Sequence, residues 1–133
     1  MEIRLVKTHV LEAHMSQSGD FSDEVRCKPL YMEGQVRNFA VMFDVKAVFS
    51  PSGSLSLKYM ALFETTDDIN EEFRESHFPR VNAPAVAYPY VRAFIAQFSA
   101  LVGADVYTLP IRNFVKTPPK APASLPPPPR PGD

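Results

Sequence analysis

The chain has 133 residues, 45% of them hydrophobic, with a formal charge of −1 and a single cysteine. Length allows one domain, and near-balanced charge argues against a phosphate backbone or an anionic membrane as partner. Cys27 alone excludes an intramolecular disulfide and a multi-cysteine metal site, which fits a reducing compartment.

Residues 2 to 13 mix β-branched, apolar and charged side chains and read as a first strand, imperfectly alternating. Charges recur every few residues there, whereas a signal peptide needs an uninterrupted apolar stretch, so the cytoplasm is the expected compartment. No run approaches the roughly 18 apolar residues of a membrane span. Residues 16 to 23 form a polar connection with Gly19 as its flexible point. Val25, Cys27, Pro29 and Tyr31 then alternate with Arg26, Lys28, Leu30 and Met32. Pro29 inside this strand places it at a sheet edge or at a bulge.

A hairpin follows. Phe39, Val41, Phe43, Val45, Ala47 and Phe49 share one face, and across Pro51-Ser52-Gly53 the return run puts Leu55, Leu57, Tyr59, Ala61 and Phe63 on one face. Residues 65 to 77 carry Asp67, Asp68, Glu71, Glu72 and Glu75 and read as a connection with room for a short solvated helix. Pro84 and Pro89 suit the approach and first turn of a helix but not its interior, so a helix is predicted to start near Pro89. From there Val91, Phe94, Ile95, Phe98, Leu101 and Val102 recur at helical spacing on one face, and Gly103 is the stop. That stripe is the natural cover for the apolar face of the hairpin, giving two layers and one core. After Phe114 the chain holds eight of its fourteen prolines, so residues 115 to 133 read as extended polyproline II or disorder.

Catalytic chemistry finds little support. His9, His14 and His77 are scattered with no paired spacing, five glycines offer no phosphate loop, and Asp67-Asp68 lacks the spacing of a calcium loop. A sheet wrapped on one helix also suits a thioesterase of the hotdog type, which uses a helix N-terminus as an electrostatic hole. Tyr88-Pro89-Tyr90 stands at that position and removes a donor the hole would need. No catalytic activity and no cofactor are expected. What remains is surface for binding: Val25, Cys27, Leu30, Tyr31 and Met32 are too apolar for a plainly solvated edge and read either as a binding groove or as ordinary core.

Asn82-Ala83-Pro84, an aromatic followed by Pro89-Tyr90, and then Arg92 resemble the helix-start motif of SecB and the SecB-like chaperones, and Leu109-Pro110-Ile111-Arg112-Asn113-Phe114 resembles that family's Leu-Pro-Pro-Ile-Asn-Phe exit, with Ile111 in place of proline and Arg112 in place of an apolar residue. The resemblance runs, more faintly, from the first strand to Phe114. It implies an α+β domain over residues 1 to 114, with a four-stranded antiparallel sheet packed on one long amphipathic helix, that oligomerises. It further implies an ATP-independent holdase that keeps polypeptides unfolded for export, in long hydrophobic grooves. The matching groove positions would add Phe73, Phe78, Tyr107 and Leu109. Arg92, Ala93, Ala96, Gln97 and Ala100 lie on the opposite helix face and are either solvated or, as in that family, join two dimers into a tetramer.

The chain departs from the export type in two ways. Residues 1 to 114 hold 11 basic and 14 acidic residues, a weak acidity, and Pro118-Pro119 forbids the C-terminal helix that meets the motor SecA. Clients are therefore either exported preproteins or an antitoxin, since SecB-like chaperones also occur beside toxin–antitoxin pairs. A further alternative is an adaptor acting through Leu125-Pro126-Pro127-Pro128-Pro129-Arg130, which has the spacing of ligands for SH3-like grooves.

Overall fold

The computed structural model describes residues 1–16, 22–49, 53–110 and 112–115. Four antiparallel strands, β1 (Ile3–Ser16), β2 (Glu24–Leu30), β3 (Asn38–Phe49) and β4 (Gly53–Thr65), form one sheet in the order β1-β4-β3-β2. A short helix α1 (Glu71–Glu75), one π-helical turn (Phe78–Asn82) and a long helix α2 (Ala83–Leu101) complete the order. The sheet has the predicted antiparallel pattern and one long helix, and Pro29 indeed sits on an edge strand. The predicted flexible point Gly19, the hairpin residues Pro51 and Ser52, Ile111 and the proline-rich segment from 116 onward lie outside the described residues.

Period-two alternation is read out cleanly in the central strands. Along β3 and β4 the odd-numbered side chains from Phe39 to Phe49 and from Leu55 to Phe63 are buried, and they pair across the ladder as Phe39 with Phe63, Phe43 with Tyr59 and Val45 with Leu57. Phe39 is fully buried, stacked on Phe63 at 5.1 Å between ring centroids and met edge-on by Phe73 at 5.5 Å. Among the described residues the opposite face has no helix on it. Leu30, Ala40, Met42, Met60 and Leu62 belong to that face by register. Strand β1 runs three residues beyond the expected end, and its ladder to β4 slips between Leu5 and Lys7 and between Val10 and Glu12. Those two bulges, at Val6 and Leu11, are why its sequence alternates imperfectly.

Asn70 caps α1, its side chain accepting the Phe73 N–H at 2.8 Å, with Glu71 and Glu72 in the first turn. The prediction for α2 needs correcting at both ends. The helix begins at Ala83, with Pro84 in its first turn, and Pro89 lies inside it. Interior proline costs about 3 kcal/mol in lost bonding and ring clash. Tertiary packing offsets this: the extra turn buries Ala83, Pro84, Ala87 and Tyr88, the last between Phe43 (6.4 Å) and Phe114 (5.5 Å). At the other end Leu101 and Val102 are not in the apolar stripe; Leu101 is 84% exposed. Gly103 does stop the helix. Its φ of 92° lets its own N–H reach the Ala100 carbonyl and the Ala104 N–H reach the Ser99 carbonyl, a Schellman closure that turns the chain back to the sheet.

Candidate functional site

The free edge of β2 is the structural starting point. The Val48 N–H donates to the Asp23 carboxylate (2.8 Å) and the Thr65 N–H to the Arg37 carbonyl (2.9 Å), so even-numbered residues of β3 direct their backbone groups to β2 and odd-numbered ones to β4. Given the register of Arg26 on Asp44 and Lys28 on Met42, the even residues of β2 complete the ladder. Val25, Cys27 and Pro29 therefore turn their backbone groups to the open side. Pro29 has no N–H to offer there, which is why an edge strand tolerates it at this parity.

Beyond that edge lies a cleft of about 690 Å³. Its apolar lining comes from Val25 and Cys27 on β2, Pro79 and Pro84 before and in α2, and Phe114 on the exit segment. Its charged lining is Arg26, Lys28, Lys58, Arg80 and Arg112, against Asp44. Arg26 is held by Glu24 at 2.6 Å. Burial pushes the Cys27 thiol up to about 11, opposed by the nearby Arg112 guanidinium, so this cysteine stays a neutral packing group at ordinary pH.

Next to the cleft, where β2 ends, Tyr31, Phe73 and Phe78 converge from three segments. Tyr31 lies 6.1 Å from Phe39, Phe73 lies 6.1 Å from Phe78, and the Arg74 guanidinium stands 4.4 Å over the Tyr31 ring. All three aromatics are half-buried. Burial raises the Tyr31 phenol above its ordinary value, with Arg74 opposing, and among the described residues its hydroxyl has no hydrogen-bond partner. Leu30 and Met32 flank this cluster, Met32 with 39% of its surface exposed.

The exit segment is held on α2 by side chains. Tyr88 donates its hydroxyl to the Pro110 carbonyl (2.8 Å), Arg92 donates Nε to the Leu109 carbonyl (2.9 Å), and Ser99 Oγ accepts the Tyr107 N–H (2.8 Å). The Tyr107 hydroxyl reaches the second oxygen of Asp23, and its ring packs on Phe49 at 5.4 Å. Burial and the Asp23 carboxylate both push that phenol upward.

The predicted groove residues thus fall into three groups. Val25 and Cys27 line the cleft; Tyr31, Phe73 and Phe78 gather at its end, whereas Leu30 belongs to the other face of the sheet and Met32 is exposed; Tyr107 sits by Phe49, where β3 ends. Leu109 must be corrected, because its side chain is fully buried and serves the core. On the outward face of α2, Ala93, Gln97 and Ala100 are exposed and Ala96 is half-buried, whereas Arg92 is committed to Leu109 within the chain. The cationic lining makes no local charge run, because its members come from four segments, β2, β4, the π-helical turn and the exit. The alternation of Arg26 and Lys28 on an edge strand was the available signal.

Among the described residues no three His, Cys, Asp or Glu side chains are grouped to hold a metal ion, and no helix is long and apolar enough to cross a membrane. No family model matches the sequence, and no curated protein matches it. Solved structures do. The Mycobacterium tuberculosis SecB-like chaperone Rv1957, determined in complex with a ChAD peptide from the HigA1 antitoxin, superposes with a TM-score of 0.62 at 14% identity, covering 84% of this chain and 90% of that one. A Streptococcus agalactiae protein of unknown function gives a TM-score of 0.55 at 12% identity, covering 84% and 98%. Together with the four-stranded antiparallel sheet and the helix laid across it, these matches show that the chain has a SecB-like fold.

Proposed function

We propose that this protein is an ATP-independent chaperone that holds unfolded polypeptide in extended form, and that it has no catalytic role. The observation that carries the reading is the combination of a SecB-like fold with an open β2 edge and half-buried aromatics at the end of that edge. Apolar anchors of this kind contribute roughly 1.5–3 kcal/mol each when covered and make little demand for directional bonds, so many sequences fit. Between the two client classes, an antitoxin is favoured over exported preproteins, because the neighbouring SecB-like chaperone was solved with an antitoxin peptide. Docking to SecA is not part of this proposal.

Holding a long client calls for several linked sites, where avidity multiplies a weak single contact. We assign the outward face of α2 to assembly, ultimately as a dimer of dimers: Ala93, Gln97 and Ala100 allow close approach, and Val86, Tyr90 and Leu101 beside them are large, apolar and exposed. Light scattering at micromolar concentration should give a tetramer, and a clean monomer would remove the multi-site mechanism.

The test of function is suppression of client aggregation without nucleotide, repeated with Tyr31→Asp. The parent should suppress aggregation at near-equimolar ratio, and the variant, shown folded by circular dichroism, should lose most of that effect. A parent that suppresses nothing would overturn the proposal.

A further inference from the structure

We infer that the β2-edge cleft selects its occupant by charge, taking an extended segment that alternates apolar with acidic side chains and adding it to the sheet as a fifth strand. The inference rests on client holding as proposed above and names the class of segment this part of the site prefers. Three observations carry it. The backbone groups of Val25 and Cys27 face the open side and are those an added strand would pair with. Side chains of such a strand alternate between the two faces of the sheet. On the α2 side they meet Val25, Pro79, Pro84 and Phe114, and on the other they lie across from Arg26 and Lys28 with Lys58 on the neighbouring part of that face.

Charge identifies the occupant. The domain is weakly acidic as a whole, yet the cleft gathers Lys28, Lys58, Arg80 and Arg112, and Arg26 paired to Glu24, against Asp44. Opposite-charge pairs directly across two strands are favourable and like-charge pairs are not. The chain's own residues 116–133 carry Lys116, Lys120 and Arg130 against Asp133, so their charge does not match the cleft. The acidic stretch of a second copy matches in charge, but Glu71–Glu75 is helical and cannot pair as a strand. The volume suits a short segment, being within the roughly 300–1,000 Å³ of ligand pockets generally, so the cleft reads a few residues of a longer client.

The experiment compares fluorescein-labelled peptides in which Val alternates with Glu, Lys or Ser, binding the full-length protein, followed by anisotropy. The Glu peptide should bind at least about 10-fold tighter than the Lys peptide at low salt, with the Ser peptide between them. Raising salt from roughly 50 to 300 mM should narrow that gap. In the double variant Lys28→Glu with Arg80→Glu, both at exposed positions, the order of Glu and Lys peptides should reverse. N-methylation of alternate backbone nitrogens in the Glu peptide should abolish binding in one parity and spare it in the other. Equal or tighter binding of the Lys peptide, an unchanged order in the double variant, or indifference to N-methylation in both parities would each overturn the inference. Failure here with aggregation suppression intact would leave client holding standing; loss of suppression in the parent would remove that reading as well.

Discussion

Ser99→Ala should detach the exit segment from α2 at one defined atom. Ser99 is wholly buried; its Oγ donates to the Ala96 carbonyl at 2.8 Å and accepts the Tyr107 N–H at 2.8 Å. Ala96 is interior to α2, so its carbonyl keeps its place in the helical ladder, and the first bond is a minor loss. The Tyr107 amide has no such substitute. Leaving this part-buried donor unpaired costs about 1–3 kcal/mol, and the better helix propensity of alanine returns about 0.5 kcal/mol. The net is about 0.5–2.5 kcal/mol, or roughly 2–10 °C in Tm for a domain near 115 residues. Thermal unfolding at a fixed protomer concentration measures the first quantity, since any assembly would make Tm concentration-dependent. Native-state hydrogen exchange measures the second: the Tyr107 amide should be protected in the parent and lose that protection in the variant. An unchanged Tm together with an unchanged Tyr107 amide would refute the reasoning that this hydroxyl anchors the exit.

At Gly103, with φ at 92° and no heavy atom within 4 Å of a built Cβ, substitution by alanine meets conformational strain and no steric clash; about 1 kcal/mol of destabilisation is expected in urea unfolding. Tyr88→Phe and Arg92→Met each free a carbonyl of adjacent exit residues, Pro110 and Leu109, at about 1 kcal/mol apiece. Because both brace one peptide, the double variant should cost less than the sum, which a double-mutant cycle reads directly. The folded Cys27 thiol titrates near 11, above its ordinary value of 9.0. The unfolded chain therefore loses this proton first, and the contribution of the neutral thiol to stability, complete below about pH 9, should disappear as pH rises through about 11. Disulfide-exchange reagents should likewise react slowly with Cys27 at neutral pH and faster only on unfolding; rapid labelling of the native protein would contradict the burial.

The sheet was legible because β3 and β4 obey a period of two with an apolar side chain at every inward position from Phe39 to Phe49 and from Leu55 to Phe63, and because Pro29 suited only an edge or a bulge. The helix was legible in kind and misplaced at its start. Local rules put Pro89 at the first turn, whereas the partners that hold Tyr88 of the extra turn are Phe43 and Phe114, 45 residues before it and 26 after. Leu101 looked like stripe and is exposed, because it falls on the outward face of α2 with Tyr90 and Gln97. In the candidate site, Tyr31, Phe73 and Phe78 were found from residue type and resemblance, but the cations of the cleft were not. Arg80 and Arg112 stand 32 residues apart in sequence and become neighbours of β2 only when the π-helical turn and the exit segment fold against it.

Pro29 has one more consequence. A sheet edge that captures extended chains is also a template on which further strands can grow, and unlimited growth is the hazard a holding protein would exist to prevent. Here the run of outward backbone groups ends on a residue without an amide hydrogen, next to the last residue of β2. On the other side of the sheet, the bulges at Val6 and Leu11 break the regular spacing that a long partner would need. If chains are captured at this edge as proposed, Pro29 limits the length of the paired stretch to a few residues.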